Sequence, residues 1–181
     1  MVGNERTAQQ RGFTLVELLA VVVMVGVLAT LAVFAVRKYV FVAKASEAYS
    51  MITAIRAAEE AYKDETFAYL NVTGAGLQPL YPNATPNMTK WNWQNPAHPL
   101  YAQWQRLGVD STTAVQFGYA VAAGIGACSV NPGTQQVFNW PATTEPWYVV
   151  VAVGDRDEDG IQSRVVASSF TSELYVEREE E

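Results

Sequence analysis

Two groups of acids in this chain stand where a carboxylate is costly unless something answers it. Glu17 is alone near the start of an apolar run, Phe13-Thr14-Leu15-Val16-Glu17-Leu18-Leu19, and the next charge is at Arg37-Lys38. A charged carboxylate within a membrane-length apolar helix costs roughly 2.5 to 3.5 kcal/mol at mid-helix. It therefore calls for a partner, and an ammonium buried beside it offsets the desolvation of both. The second group is Asp155, Asp157 and Asp159, alternating through Gly154-Asp155-Arg156-Asp157-Glu158-Asp159-Gly160. Three carboxylates on one tight turn repel each other, and a divalent cation such as calcium relieves that. Asp and Gly also suit turn geometry by themselves, so a solvated hairpin turn remains open beside the calcium reading.

Other chemistry has little to stand on. His98 is the single histidine, between Ala97 and Pro99, with no His or Cys at ligand spacing. Cys128 is the single cysteine, which excludes an intrachain disulfide and leaves no His-paired nucleophile. No phosphate-cradling loop is visible, and the expectation is a protein that is not an enzyme and requires no cofactor. Twelve Lys and Arg against eighteen Asp and Glu give a net charge of −6, so no nucleic-acid partner is expected.

These residues need elements to position them. Leu18 to Val36 carries no charge and spans roughly 28 Å as a helix, enough to cross a bilayer. A polar leader precedes it, whereas a secretory signal would have a basic start, a shorter apolar stretch and a small-x-small cleavage site beyond it. Arg6 and Arg11 outweigh Glu5 in the leader, which favours a cytoplasmic N-terminus, although Arg37-Lys38 pull weakly the other way.

Arg11-Gly12-Phe13-Thr14-Leu15-Val16-Glu17-Leu18-Leu19 resembles, almost letter for letter, the prepilin signature of type IV pilins and type II secretion pseudopilins. The resemblance implies cleavage between Gly12 and Phe13 by a prepilin peptidase, then methylation of the new Phe13 amine. Gly12 suits such a site because no side chain obstructs close approach to the backbone. It further implies that Glu17 faces the Phe13 amine of a neighbouring subunit during assembly. Removing the leader's net +1 leaves −7 on the mature chain. The family often closes a C-terminal loop with a disulfide, which this chain cannot do. It also often carries Pro where Phe34 stands, so the resemblance gives no basis for a kink there. The acidic turn resembles the first half of an EF-hand loop, but Val166 occupies the closing acid's place. Some pseudopilins hold calcium in the corresponding region.

Ala45, Ala48, Ile52, Ile55, Ala58 and Tyr62 recur at helical spacing, with Ser46, Glu47, Arg56, Glu59, Glu60 and Lys63 assigned to the opposite face. One helix is expected from Phe13 to about Asp64. Gly74, Gly76, Pro79, Pro82, Pro86, Pro96 and Pro99 make 66–114 a long loop, with a short helix near Gln103–Leu107. Its rings, Tyr81, Trp91, Trp93, Tyr101 and Trp104, serve either as a binding patch or as a clamp. Strands are expected at Val115–Ala123, Trp147–Val153 and Ser163–Ser168. The expected fold is α+β and pilin-like: a long N-terminal helix packed by its second half on a small antiparallel sheet. The expected organisation is leader 1–12, transmembrane or filament-core half-helix 13–37, amphipathic half-helix 38–65, loop region 66–114, sheet head 115–170 and acidic tail 171–181.

The implied function is a structural subunit, major or minor, of a type IV pilus. Its partners would be the prepilin peptidase, other pilin subunits, the assembly machinery and, before assembly, the inner membrane, with the head periplasmic. After assembly it would lie in an extracellular or periplasmic filament. Motility, adhesion and DNA uptake all use this scaffold. A type II secretion pseudopilin and a non-polymerising, membrane-anchored periplasmic binding domain are the alternatives.

Overall fold

A computed structural model of the chain describes residues 13–178. The leader at 1–12, with Gly12, and the last three acids lie outside the described residues, as do the side chains of Arg37 and Lys38. The chain divides into two units at Tyr39–Val40.

Helix α1 runs from Leu15 to Thr66, through Gly26 and Phe34, with no proline to interrupt it. In the first unit every described residue of 13–36 is exposed. Leu15–Val36 has a mean hydropathy of 2.9 and is long and apolar enough to cross a membrane. Farther along, α1 gains a buried stripe: Ala45, Ala48, Met51, Ile52 and Ile55.

That stripe packs on a four-stranded antiparallel meander. Strands β1 (Gly118–Ile125), β2 (Pro146–Gly154), β3 (Ser163–Ser168) and β4 (Thr171–Glu177) lie side by side in that order. Alternation sorts their side chains. Tyr119, Val121, Tyr148, Val150, Val165 and Ala167 join the core that contains the helix stripe. Ala120, Ala122, Val149, Val151, Val153 and Val166 form a second core on the other face. The continuous apolar run of β2 is thus a central strand buried on both sides.

The second face is covered by residues 126–145, a role not anticipated for that stretch. Val130, Phe138 and Trp140 pack there, and the indole N–H of Trp140 donates to Val130 O at 2.7 Å. Trp147 donates likewise to Gly126 O at 2.8 Å.

Three expectations are corrected. Residues 171–177, assigned to the acidic tail, are β4. Leu174 and Val176 pack toward the helix side and Tyr175 toward the other, a period-two pattern masked by the acids around it. The first strand starts at Gly118 rather than Val115, because Val115 instead bridges Trp91 outside the strand. Glu59, assigned to the solvent face, is fully buried, since it follows Ile52 and Ile55 on the same stripe.

The loop region clamps. Tyr81, Trp93 and Trp104 are fully buried, with ring centroids 5.0 to 5.4 Å apart. Trp93 donates to Val109 O at 2.8 Å, and Tyr81 donates to Trp93 O. Trp91 stays exposed and Tyr101 half-buried. Helix α2 (Tyr101–Leu107) supplies Trp104 and ends at Gly108 with a φ of 77°, the left-handed stop that glycine favours. Bridges Tyr81–Tyr119 and Trp91–Val115 attach the loop to the β1 side of the sheet.

Candidate functional site

The N-terminal candidate is built from Phe13, Thr14 and Glu17. Phe13 is 89% exposed just ahead of the helix. Thr14 caps α1: its hydroxyl accepts the Glu17 N–H at 3.2 Å. In return Glu17 Oε2 accepts the Thr14 N–H and hydroxyl, each at 2.8 Å. This is the reciprocal capping box, which satisfies backbone donors that the first helical turn would otherwise leave open. Glu17 is therefore bound within its own chain, at the end of the helix that follows Phe13. The spacing Thr14-x-x-Glu17 carried this signal, and the sequence reading did not use it.

The second candidate is the turn between β2 and β3. Gly154 pairs with Ser163, so the acids project from a closed hairpin end. One oxygen from each of Asp155, Asp157 and Asp159 lies within 4.8 Å of the others. Asp155 Oδ2 accepts the Gly160 N–H at 3.2 Å, and Asp159 Oδ1 accepts the Ile161 N–H at 2.7 Å. Glu158, with φ of 62°, turns away and accepts the Met88 N–H at 3.2 Å. Asp155 Oδ1 is buried with no hydrogen-bond partner, as a ligand atom awaiting a cation would be. Arg156, in sequence among the acids, is 1% exposed, with its guanidinium 5.9 Å from the Phe117 ring centroid. Lys44 donates to the Arg156 carbonyl at 3.4 Å, fastening the turn to α1.

Neither isolated reactive residue joins a site. The His98 ring contacts Leu80 O at 2.9 Å through Nε2 and packs edge-on against Tyr81, and burial lowers its pKa. Cys128 is half-buried, and burial raises its thiol pKa. Three asparagines that each open an Asn-x-Thr triplet shape loops: Asn71 accepts from Gly74, Asn83 from Thr85 and Asn87 from Thr89.

Comparison with known proteins points to the same N-terminal segment. Residues 7–33 match the family model for the prokaryotic N-terminal methylation motif. The chain is 44% identical over 85 residues to type II secretion system core protein G of Pseudomonas aeruginosa, a stretch covering 47% of this chain. That stretch covers 59% of the relative, so the chain spans less than two thirds of the curated protein it matches. No solved structure matches. The motif and the relative together support a type IV pilin-like family for this chain. Pilus pilins and secretion pseudopilins both fall within that class, and the long apolar helix following the motif supports a membrane-anchored protein.

Proposed function

We propose that the chain is a structural, non-catalytic subunit of a type IV pilus, held in the inner membrane with its head in the periplasm until assembly. The observation that carries this is the exposure of every described residue from 13 to 36, an apolar surface with one acid at its start. Such a surface must be covered by lipid or by other helices. A prepilin peptidase would cut between Gly12 and Phe13 and methylate Phe13. Glu17 would then exchange its bonds to Thr14 for the amine of a neighbouring subunit, setting register among helices packed side by side. The pilus machinery and other pilin subunits are the partners this requires.

The second reading, a pseudopilin of a type II secretion system, is favoured by the relative's name and fits comparably. Mass spectrometry of the N-terminal peptide and the location of the filament test both readings together. A peptide beginning at methylated Phe13, from protein sheared off the cell surface, supports the pilus. The same peptide retained in the envelope, with secretion lost on gene deletion, supports the pseudopilin. An intact Met1 start defeats both and leaves an anchored domain that does not polymerise.

Calcium belongs to this proposal as a ligand of the head. Asp155, Asp157 and Asp159 would hold it, and the ion would neutralise their mutual repulsion. Calcium should raise the unfolding temperature of the detergent-solubilised chain, and Asp157→Asn should remove most of that rise. An equal rise in both would show that the ion acts elsewhere.

A further inference from the structure

Two acids on the second half of α1 hold opposite ends of the loop region, and they hold them differently. Glu47 Oε1 accepts the backbone N–H of Gln116 at 2.7 Å and of Phe117 at 3.3 Å. Its other oxygen faces Lys90 Nζ at 4.0 Å, and its side chain is 20% exposed. Glu59 Oε2 accepts the Leu70 N–H at 2.8 Å, but Glu59 has no exposed surface. Its Oε1 is buried without a hydrogen-bond partner.

One carboxylate is therefore wet and satisfied on both oxygens, and the other is dry and satisfied on one. A buried anion with an orphan oxygen is costly, and a proton removes the charge. Among the described residues, the charged groups nearby direct their hydrogen bonds elsewhere. Along α1, Arg56 donates to the carbonyl of Ser172 at 3.1 Å, while Lys63 and Glu60 meet at the surface around the Tyr69 hydroxyl. From the sheet comes Tyr148, whose ring meets the Tyr69 ring edge-on at 4.7 Å. Burial first, and the Glu60 charge as a lesser cause, push the Glu59 pKa up to about 7 against the opposing pull of the Leu70 N–H.

We propose that Glu59 is a proton-operated latch on the start of the loop region. Protonated, it keeps residues 67–72 folded on α1. Ionised, it favours an arrangement in which the carboxylate reaches water and the Leu70 N–H is released. The loosened span has defined ends. Before it lies the C-terminus of α1 at Thr66. After it, Thr73 donates to Val121 O through its N–H at 2.9 Å and its hydroxyl at 2.7 Å. Tyr69 lies within the span, so its packing on Tyr148 would be given up with the latch.

The direction follows from where the proton binds more tightly. In the open arrangement Glu59 titrates near the ordinary 4.5, and in the closed one near 7. Below the lower value both are protonated and the closed form keeps its full advantage. As pH rises between the two, the closed-to-open ratio falls by up to about tenfold per unit, about two orders of magnitude in all. Above the upper value it is level.

Hydrogen exchange on the full chain in detergent tests this, with protection corrected for the intrinsic pH dependence of exchange. From about pH 5 to about pH 8, protection of 67–72 should fall by about two orders of magnitude while β2 is unaffected. Glu59→Gln should flatten that slope. Protection independent of pH in the natural chain, or a slope that survives in Glu59→Gln, overturns the latch. Loss of β2 protection in the variant would show misfolding, and the natural chain then decides through the side-chain carboxyl resonance of Glu59. A midpoint near 7 that coincides with loss of protection upholds the latch, and an ordinary carboxylate midpoint overturns it.

Discussion

The two halves of α1 share a backbone, yet they are completed by different surroundings. From Leu15 to Val36 nothing is buried, and the apolar surface goes all the way round. From Ala45 onward one stripe, including Ala48, Ile52 and Ile55, is buried by the chain's own sheet. A helix apolar on one stripe is finished within its fold, whereas one apolar on every side depends on what lies outside it. The acids repeat the contrast. Glu17 is exposed and bonded to its own first turn, while Glu59 is buried and bonded to a backbone N–H eleven residues away. Substitutions in the first half should therefore register in assembly, and substitutions in the second half in stability.

The largest effect is expected from Glu17→Ala. Membrane insertion and leader cleavage should persist while incorporation into filaments is lost, read by the processed N-terminal peptide and by subunit content of the filament fraction. Normal assembly of that variant would break the link between the first half and polymerisation. A smaller effect sharpens the contrast from the other side. Ile55→Ala should destabilise the head by about 2 to 5 kcal/mol in denaturant unfolding of the solubilised chain. Leu28→Ala should change the same transition by no more than about 0.5 kcal/mol. Equal losses from the two truncations would erase the distinction between the halves.

Much of this was legible before the fold was known, for physical reasons. The uncharged run after Glu17 and the helical spacing from Ala45 to Ile55 are long periodic signals. The run Trp147 to Val153 has the composition of a strand covered on both faces. The acidic turn could be located because Asp and Gly must occupy such bends. What failed to show were elements whose composition contradicted their role. Thr171–Glu177 carries Glu173 and Glu177 and runs into further acids, so it reads as tail, yet its alternate Leu174 and Val176 find a core. Glu59 is an acid and was assigned to water, although its spacing from Ile52 and Ile55 leads inward. Residues 126–145 have no periodicity, so nothing local marks them as the cover of a sheet face. The capping box was present in the letters but overshadowed by Glu17's more conspicuous isolation in an apolar run.

The attachment of Tyr81 and Trp91 along the β1 side has a consequence for solubility. A sheet with two bare margins can recruit strands at both, and each recruit offers a new margin, so growth has no natural end. Here, among the described residues, the loop bridges to the β1 margin at Tyr119, which leaves the acid-bearing β4 as the margin open to stray pairing. Two heads meeting through β4 would exhaust each other's open margin and stop as a pair. Crowded copies of this head are thereby kept from spreading into a continuous sheet.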